Sequence, residues 1–99
     1  MENINFGEVI NLLKEGKLCS RVNWLDDGIF IMKQIPAEIG LDIIPKMQSV
    51  QQTAKDKLIS KGVTLKYTNQ ILIINEEGIA NSYSPSADDV FAEDWIQIN

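Results

Sequence analysis

Histidine is absent from this 99-residue chain, cysteine occurs once, at Cys19, and arginine once, at Arg21. Without histidine, neither a Ser-His nor a Cys-His nucleophile pair can be assembled. A zinc site would have to be built from carboxylates, an unusual donor set. One cysteine excludes an internal disulfide. No glycine-rich stretch matches a phosphate-binding fingerprint. No apolar run approaches the roughly 18 residues that span a bilayer. Nine Lys and Arg stand against fourteen Asp and Glu, a net charge of −5. A DNA or RNA binder draws its affinity from many basic contacts to phosphates, so that class is disfavoured. A small anionic ligand held by one local cation and a few backbone N–H groups remains compatible with the charge.

Apolar residues make up 44% of the chain and charged residues 23%, ordinary values for a soluble globule. The opening Met1-Glu2-Asn3 shows no basic region leading into an apolar run, so the expected location is the cytoplasm. A chain of this size buries only about two-thirds of its unfolded surface. We expect a single domain over residues 1–99, with one core and little volume for a private cavity.

The pattern of residues predicts the order helix, hairpin, helix, meander, short helix, strand. Asn5 followed by Glu8 reads as an N-cap with a capping-box partner. Phe6, Val9, Ile10 and Leu13 then recur at helical spacing, and Gly16 ends the segment. Two strands, Lys17 to Val22 and Ile29 to Met32, flank a turn at Asn23–Gly28. Pro36 and Pro45 bracket a less regular stretch. Ser49 with Gln52 forms a second capping-box pattern, opening a helix at about 50–61 with Val50, Ala54 and Leu58 on one side. The segments Val63 to Tyr67, Gln70 to Ile74 and Ile79 to Tyr83 read as a three-stranded meander. Ser86 and Asp89 mark a short helical turn, and Trp95 to Ile98 alternates like an edge strand. The fold class is therefore α+β, a small and mostly antiparallel sheet with helices packed on one face. The other face is expected to be free for a second subunit.

Few residues suit chemistry. The carboxylate pairs Asp26-Asp27, Asp88-Asp89 and Glu93-Asp94 read as solvated turn residues. Arg21 admits two roles, a structural ion pair with Asp94 or a fork-shaped donor to phosphate. Trp24 sits at a turn, where a ring belongs either to the core or to a pocket that stacks a base. Tyr83 lies in a comparable position before Ser84-Pro85. Trp95 reads as core or subunit contact. Ser86 reads as a helix cap. Asp89 in the first helical turn would repel a phosphate, so toward a ligand it would accept from a ribose hydroxyl or a base amine. Tyr67 and Asn69 form a polar cluster with Gln70 between two strands, and Gln48 is placed to read a base edge.

The two ends of the chain together resemble a known family. Its opening is similar to Phe6-Gly7-Glu8, Leu13-Lys14, Gly16-Lys17, Arg21, Trp24, Gly28 and Phe30. Its closing is similar to Pro85-Ser86, Asp89 and Ala92-Glu93-Asp94-Trp95. The chain is thus identified as a member of the Thoeris anti-defence protein 2 family of small phage and bacterial proteins. The resemblance implies a sponge without catalytic residues or cofactor. Such a protein binds the cyclic ADP-ribose isomer made by the bacterial Thoeris system, holds it uncleaved in the host cytoplasm, and so keeps the immune effector inactive. It further implies a homotetramer with pockets at subunit boundaries, some members also taking cyclic dinucleotides. Matching positions make Arg21, Trp24, Phe30, Ser86 and Asp89 candidate ligand residues. Gln48, Tyr67, Asn69 and Tyr83 join them on the reading of the residues. Three positions depart from the family pattern: Asn23 replaces a common glycine, Leu25 a common asparagine, and Tyr83 a common tryptophan. Arg21→Ala and Trp24→Ala are each expected to weaken binding without unfolding the chain. The alternative reading is a protein-interaction module of phage or prophage origin with no small-molecule ligand.

Overall fold

A computed structural model describes residues 2–99. Its contacts divide the chain into two compact units, one made of the chain up to Gln34 together with Gln70–Asn99, the other of Ile35–Asn69.

The first unit begins with helix α1, Phe6–Lys14. The Asn5 side chain caps it by accepting from the Glu8 N–H at 2.9 Å. Gly16 follows at φ 84°, a left-handed conformation that costs glycine no Cβ clash and ends the helix. Val9 and Leu13 are buried, as their spacing of four requires for one helix face. Strand β1, Cys19–Arg21, leads through a 3-10 turn over Val22–Asp27 into β2, Phe30–Gln34. Gly28, at φ 67°, closes that turn. Strands β5, Gln70–Ile74, and β6, Ala80–Ser82, a short helix α3, Ala87–Phe91, and strand β7, Trp95–Gln97, complete the unit. (Strands β3 and β4 belong to the second unit.)

The five strands form an antiparallel sheet in the order β6-β5-β2-β1-β7. Cys19 pairs with Ile31 and Gln97, Arg21 with Trp95, and Phe30 with Ile74. Directly opposed residues share a sheet face and neighbours alternate. One face therefore carries Cys19, Arg21, Ile31, Ile73 and Trp95. Helix α1 covers it, and Val9, Leu13, Cys19, Ile31 and Trp95 form the buried core. Burial pushes the Cys19 thiol up to about 11, which makes it a small apolar core residue rather than a nucleophile. The opposite face carries Ser20, Phe30, Met32, Leu72, Ile74 and Ile96. Ser20 is fully buried there and satisfies its hydroxyl on the Ile29 carbonyl at 2.6 Å.

The second unit contains β3, Ala37–Ile39, helix α2, Gln52–Lys61, and β4, Leu65–Tyr67. Here three sequence expectations need correction. The strand expected at 63–67 does not join a meander; its Leu65–Tyr67 core pairs antiparallel with Ala37–Ile39 as a separate two-stranded sheet. Strand β5 instead pairs with β2 over five residues and with β6, so both of its edges are taken. Ser49 does not cap α2: the helix starts at Gln52 after Gln51, with no side-chain cap bond. Ser49 lies in the preceding bend, too far upstream to meet the N–H groups of the first turn. Nor is the expected stripe the buried one. Lys55 is 8% exposed and donates to the Pro45 carbonyl at 3.2 Å, whereas Ala54 is exposed. Gly62, at φ 67°, ends the helix as expected.

Candidate ligand-binding site

The edge of the first unit's sheet where β1 meets β7 collects most of the candidates. Arg21 ends β1, so strand alternation places it beside Trp95 on the helix-covered face. Its Nε and Nη2 donate to the two carboxylate oxygens of Asp94 at 2.9 and 3.3 Å, a two-pronged grip. Its Nη1 donates to Asp89 Oδ1 at 2.8 Å. The ion pair with Asp94 weighed from sequence is therefore present, and a second carboxylate completes it.

Asp89 is the hub. Its backbone N–H donates to the capping hydroxyl of Ser86 at 3.1 Å. Its carbonyl accepts from the Trp95 indole N–H at 2.8 Å. Its Oδ2 accepts from the Tyr83 hydroxyl at 2.7 Å. Ser86 thus has the capping role read from sequence, and it orients the helix that presents Asp89. Helix α3 is only five residues long, so the cap and the side-chain bonds carry what a single turn cannot supply by itself.

The charges follow this geometry. Burial pushes the Asp89 carboxyl up, but the Tyr83 hydroxyl and the bonded, charged Arg21 outweigh it and hold the group below its ordinary value. The Tyr83 hydroxyl is pushed above its usual range by burial first and by the Asp89 carboxylate next. The hydrogen bond to Asp94 does most to hold the Arg21 guanidinium above its usual value. A depressed carboxyl contributes stability above its unfolded value and loses it as pH falls through the folded one. A raised phenol contributes below its unfolded value and loses it as pH rises. Urea midpoints should therefore hold level across neutral pH, fall below about pH 4, where Asp89 of the unfolded chain takes up its proton first, and fall again above about pH 10, where Tyr83 of the unfolded chain ionises first. Asp89→Asn should flatten the acid limb; a profile there identical to that of the unmodified protein would refute this account.

Trp24 lies on the 3-10 turn that follows Arg21 and is half-buried. Its ring centroid is 5.1 Å from Trp95 and 6.2 Å from Tyr83, with interplanar angles of 83° and 86°. Both neighbours stand edge-on, so neither of these rings stacks parallel on Trp24. Phe6 in turn packs on Trp95 at 5.4 Å, which ties the aromatic row to α1. Trp95 is fully buried, as the sequence reading allowed.

The structure thus brings Arg21, Trp24, Tyr83, Ser86 and Asp89 into one cluster. Phe30 is not part of it: the register with Ile74 puts it on the opposite sheet face, where it is half-buried. Gln48, Tyr67 and Asn69 belong to the second unit. There Tyr67 and Asn69 line an open groove of about 410 Å³ with Pro36, Glu38 and Lys66, while Gln48 is exposed in the bend before α2. Two participants escaped the sequence reading as site residues. Asp94 was visible as an ion-pair partner, five residues after Asp89, yet its grip on two guanidinium nitrogens depends on strand register. Leu25 is half-buried on the turn that carries Trp24. Among the described residues no group of three or more metal-ligating side chains is placed to hold an ion. No helix among them is long and apolar enough to cross a membrane.

Over residues 4–98 the chain matches the family described as Tad2-like, the Thoeris anti-defense 2-like domain. No curated protein matches it.

Proposed function

The chain belongs to the Thoeris anti-defense 2-like family, and on that premise we propose where and how it holds its ligand. It is a non-catalytic sponge that binds and sequesters the cyclic ADP-ribose signal of Thoeris defence without cleaving it. The match across residues 4–98 is the observation that carries this function. The aromatic cluster supports the choice of site.

A sponge acts one molecule at a time, so it must bind tightly; nanomolar affinity corresponds to about −12 kcal/mol. Such affinity requires burial of most of the ligand, in pockets of about 300–1,000 Å³. We assign the stacking surface to Trp24 and Tyr83, which form one edge-on pair on the first unit. Tyr67 and Asn69 line a groove of their own in the second unit, a separate candidate surface. Arg21 is a poor phosphate donor on its own: one guanidinium against the Asp89 and Asp94 carboxylates (+1 − 2) leaves the cluster at −1. It serves the site as a support. Enclosure comes from other copies of the chain, as a homotetramer with pockets at subunit boundaries. The site of action is the host bacterial cytoplasm, with cyclic dinucleotides as a second ligand class.

The test is retention and release. The purified protein is incubated with a panel of cyclic ADP-ribose isomers, freed of unbound nucleotide, heat-denatured and the supernatant chromatographed. Intact nucleotide in a fixed ratio to protein is expected, with a rise of several degrees in the unfolding midpoint. Release of a cleaved product would show a hydrolase. No retention and no thermal gain with any isomer would favour the protein-interaction module.

A further inference from the structure

We infer that Asp89 is a positioning residue: through the Tyr83 hydroxyl it fixes the ring that borders Trp24 and so presets the stacking surface. The inference rests on Trp24 and Tyr83 facing the ligand, as proposed above. Every polar atom of Asp89 already has a partner within the chain. Its N–H is on Ser86, its carbonyl on Trp95, Oδ1 on Arg21 and Oδ2 on Tyr83. Its N–H is already given, and each of its three oxygens already accepts a hydrogen bond before any ligand arrives. Its contribution to binding therefore runs through what it holds.

What it holds is Tyr83. This residue precedes the Ser84-Pro85 loop and hangs from the end of β6, where its N–H bonds the Ile71 carbonyl at 2.8 Å. A phenol ring there would otherwise turn about its side-chain bonds. The 2.7 Å bond to Asp89 removes that freedom, and Asp89 is itself held by a guanidinium whose other prongs are clamped on Asp94. The result is a ring perpendicular to Trp24 at 86°. Ordering a side chain before binding removes a cost otherwise met during binding. The Tyr83 hydroxyl is thus turned inward to Asp89 and is not offered to the ligand.

Four forms of the full chain separate the possibilities by titration with the retained cyclic ADP-ribose isomer: unmodified, Tyr83→Phe, Asp94→Asn and Trp24→Ala. Tyr83→Phe keeps the ring and the Arg21 ion pairs but cuts the tie. It is expected to bind about 2- to 10-fold more weakly, and to broaden the Trp24 indole N–H resonance of the free protein. Asp94→Asn loosens Arg21, one step further back in the same chain of contacts, so it should lower the unfolding midpoint while weakening binding clearly less than Tyr83→Phe does. Unaltered affinity in Tyr83→Phe, with Trp24→Ala still binding poorly, would overturn the positioning role alone. Equal losses of affinity in Tyr83→Phe and Asp94→Asn that track their midpoints would also overturn it, showing a merely structural network. Full binding by Trp24→Ala would remove the site reading beneath it.

Discussion

Arg21→Ala should lower the unfolding midpoint by roughly 10–20 °C, the largest effect on stability expected of a polar substitution here. The guanidinium bonds two carboxylates from different places in the chain, the first turn of α3 and the approach to β7. Its removal leaves Asp89 and Asp94 as like charges at one edge of the core, with Asp89 still bonded to Tyr83 and capped through Ser86. Breaking a fully buried pair costs about 3–5 kcal/mol. The side chains of Arg21, Asp89 and Asp94 keep exposures of 19%, 15% and 36%, so water recovers part of that and about 2–3 kcal/mol remains. Each kcal/mol moves the midpoint of a domain of this size by about 4–8 °C. Arg21→Lys should recover less than half of the loss, because one ammonium cannot span both carboxylates in the fork geometry of a guanidinium. Thermal denaturation followed by circular dichroism reads both variants, and an Arg21→Ala midpoint within about 3 °C of the unmodified protein would show that solvent already screens the network. This revises the sequence-based expectation that Arg21→Ala would weaken binding while leaving the fold intact. Affinity in that variant has to be measured well below its melting range, where a loss can be separated from unfolding.

Trp24→Ala should weaken binding of the retained cyclic ADP-ribose isomer by roughly 10- to 100-fold, the worth of one base stacked on an aromatic ring. Trp24 is half-buried, so truncation also removes its edge contacts with Trp95 and Tyr83. Trp24→Phe is the control, because it keeps a flat face while surrendering the indole, and it should retain most of the affinity. Isothermal titration at a temperature where all forms are folded makes the comparison. Trp24→Ala binding as tightly as the unmodified protein would mean that the ligand is stacked elsewhere, the Tyr67 groove of the second unit being the next place to mutate.

Local signals were reliable where one residue type governs one backbone event. Asn5 and Ser86 cap the helices that their spacing announced, and Gly16, Gly28 and Gly62 take the left-handed conformation that ends a helix or turn. The hairpin of β1 and β2 and the edge position of β7 also follow from alternation and turn residues. The failures came where the deciding contact is distant in sequence. The stretch Val63 to Tyr67 looks like a strand from its own residues, but nothing local says that Ala37–Ile39 will be its partner. Ser49 has the right spacing for a cap, and the helix begins three residues past it. Tertiary packing of Lys55 against the Pro45 carbonyl overrides the apolar stripe read along α2.

For the site, the order of residues was enough to pick out a lone arginine beside a tryptophan, to exclude His-based catalysis, and to suggest the family. Those properties depend on which groups exist and how they are spaced, which a chain carries in any conformation. Whether Arg21 faces a phosphate or two carboxylates depends on a register that joins residue 21 to residue 95 and brings α3 alongside. Likewise the parity of the strand, not its composition, separates Phe30 from Trp24. Pairing across more than seventy residues is set by the free energy of the assembled core, to which Trp95, Ile31 and Val9 contribute together. A one-dimensional reading has no access to that sum, and so it could name the cluster's members without knowing which of them hold one another and which are left facing outward.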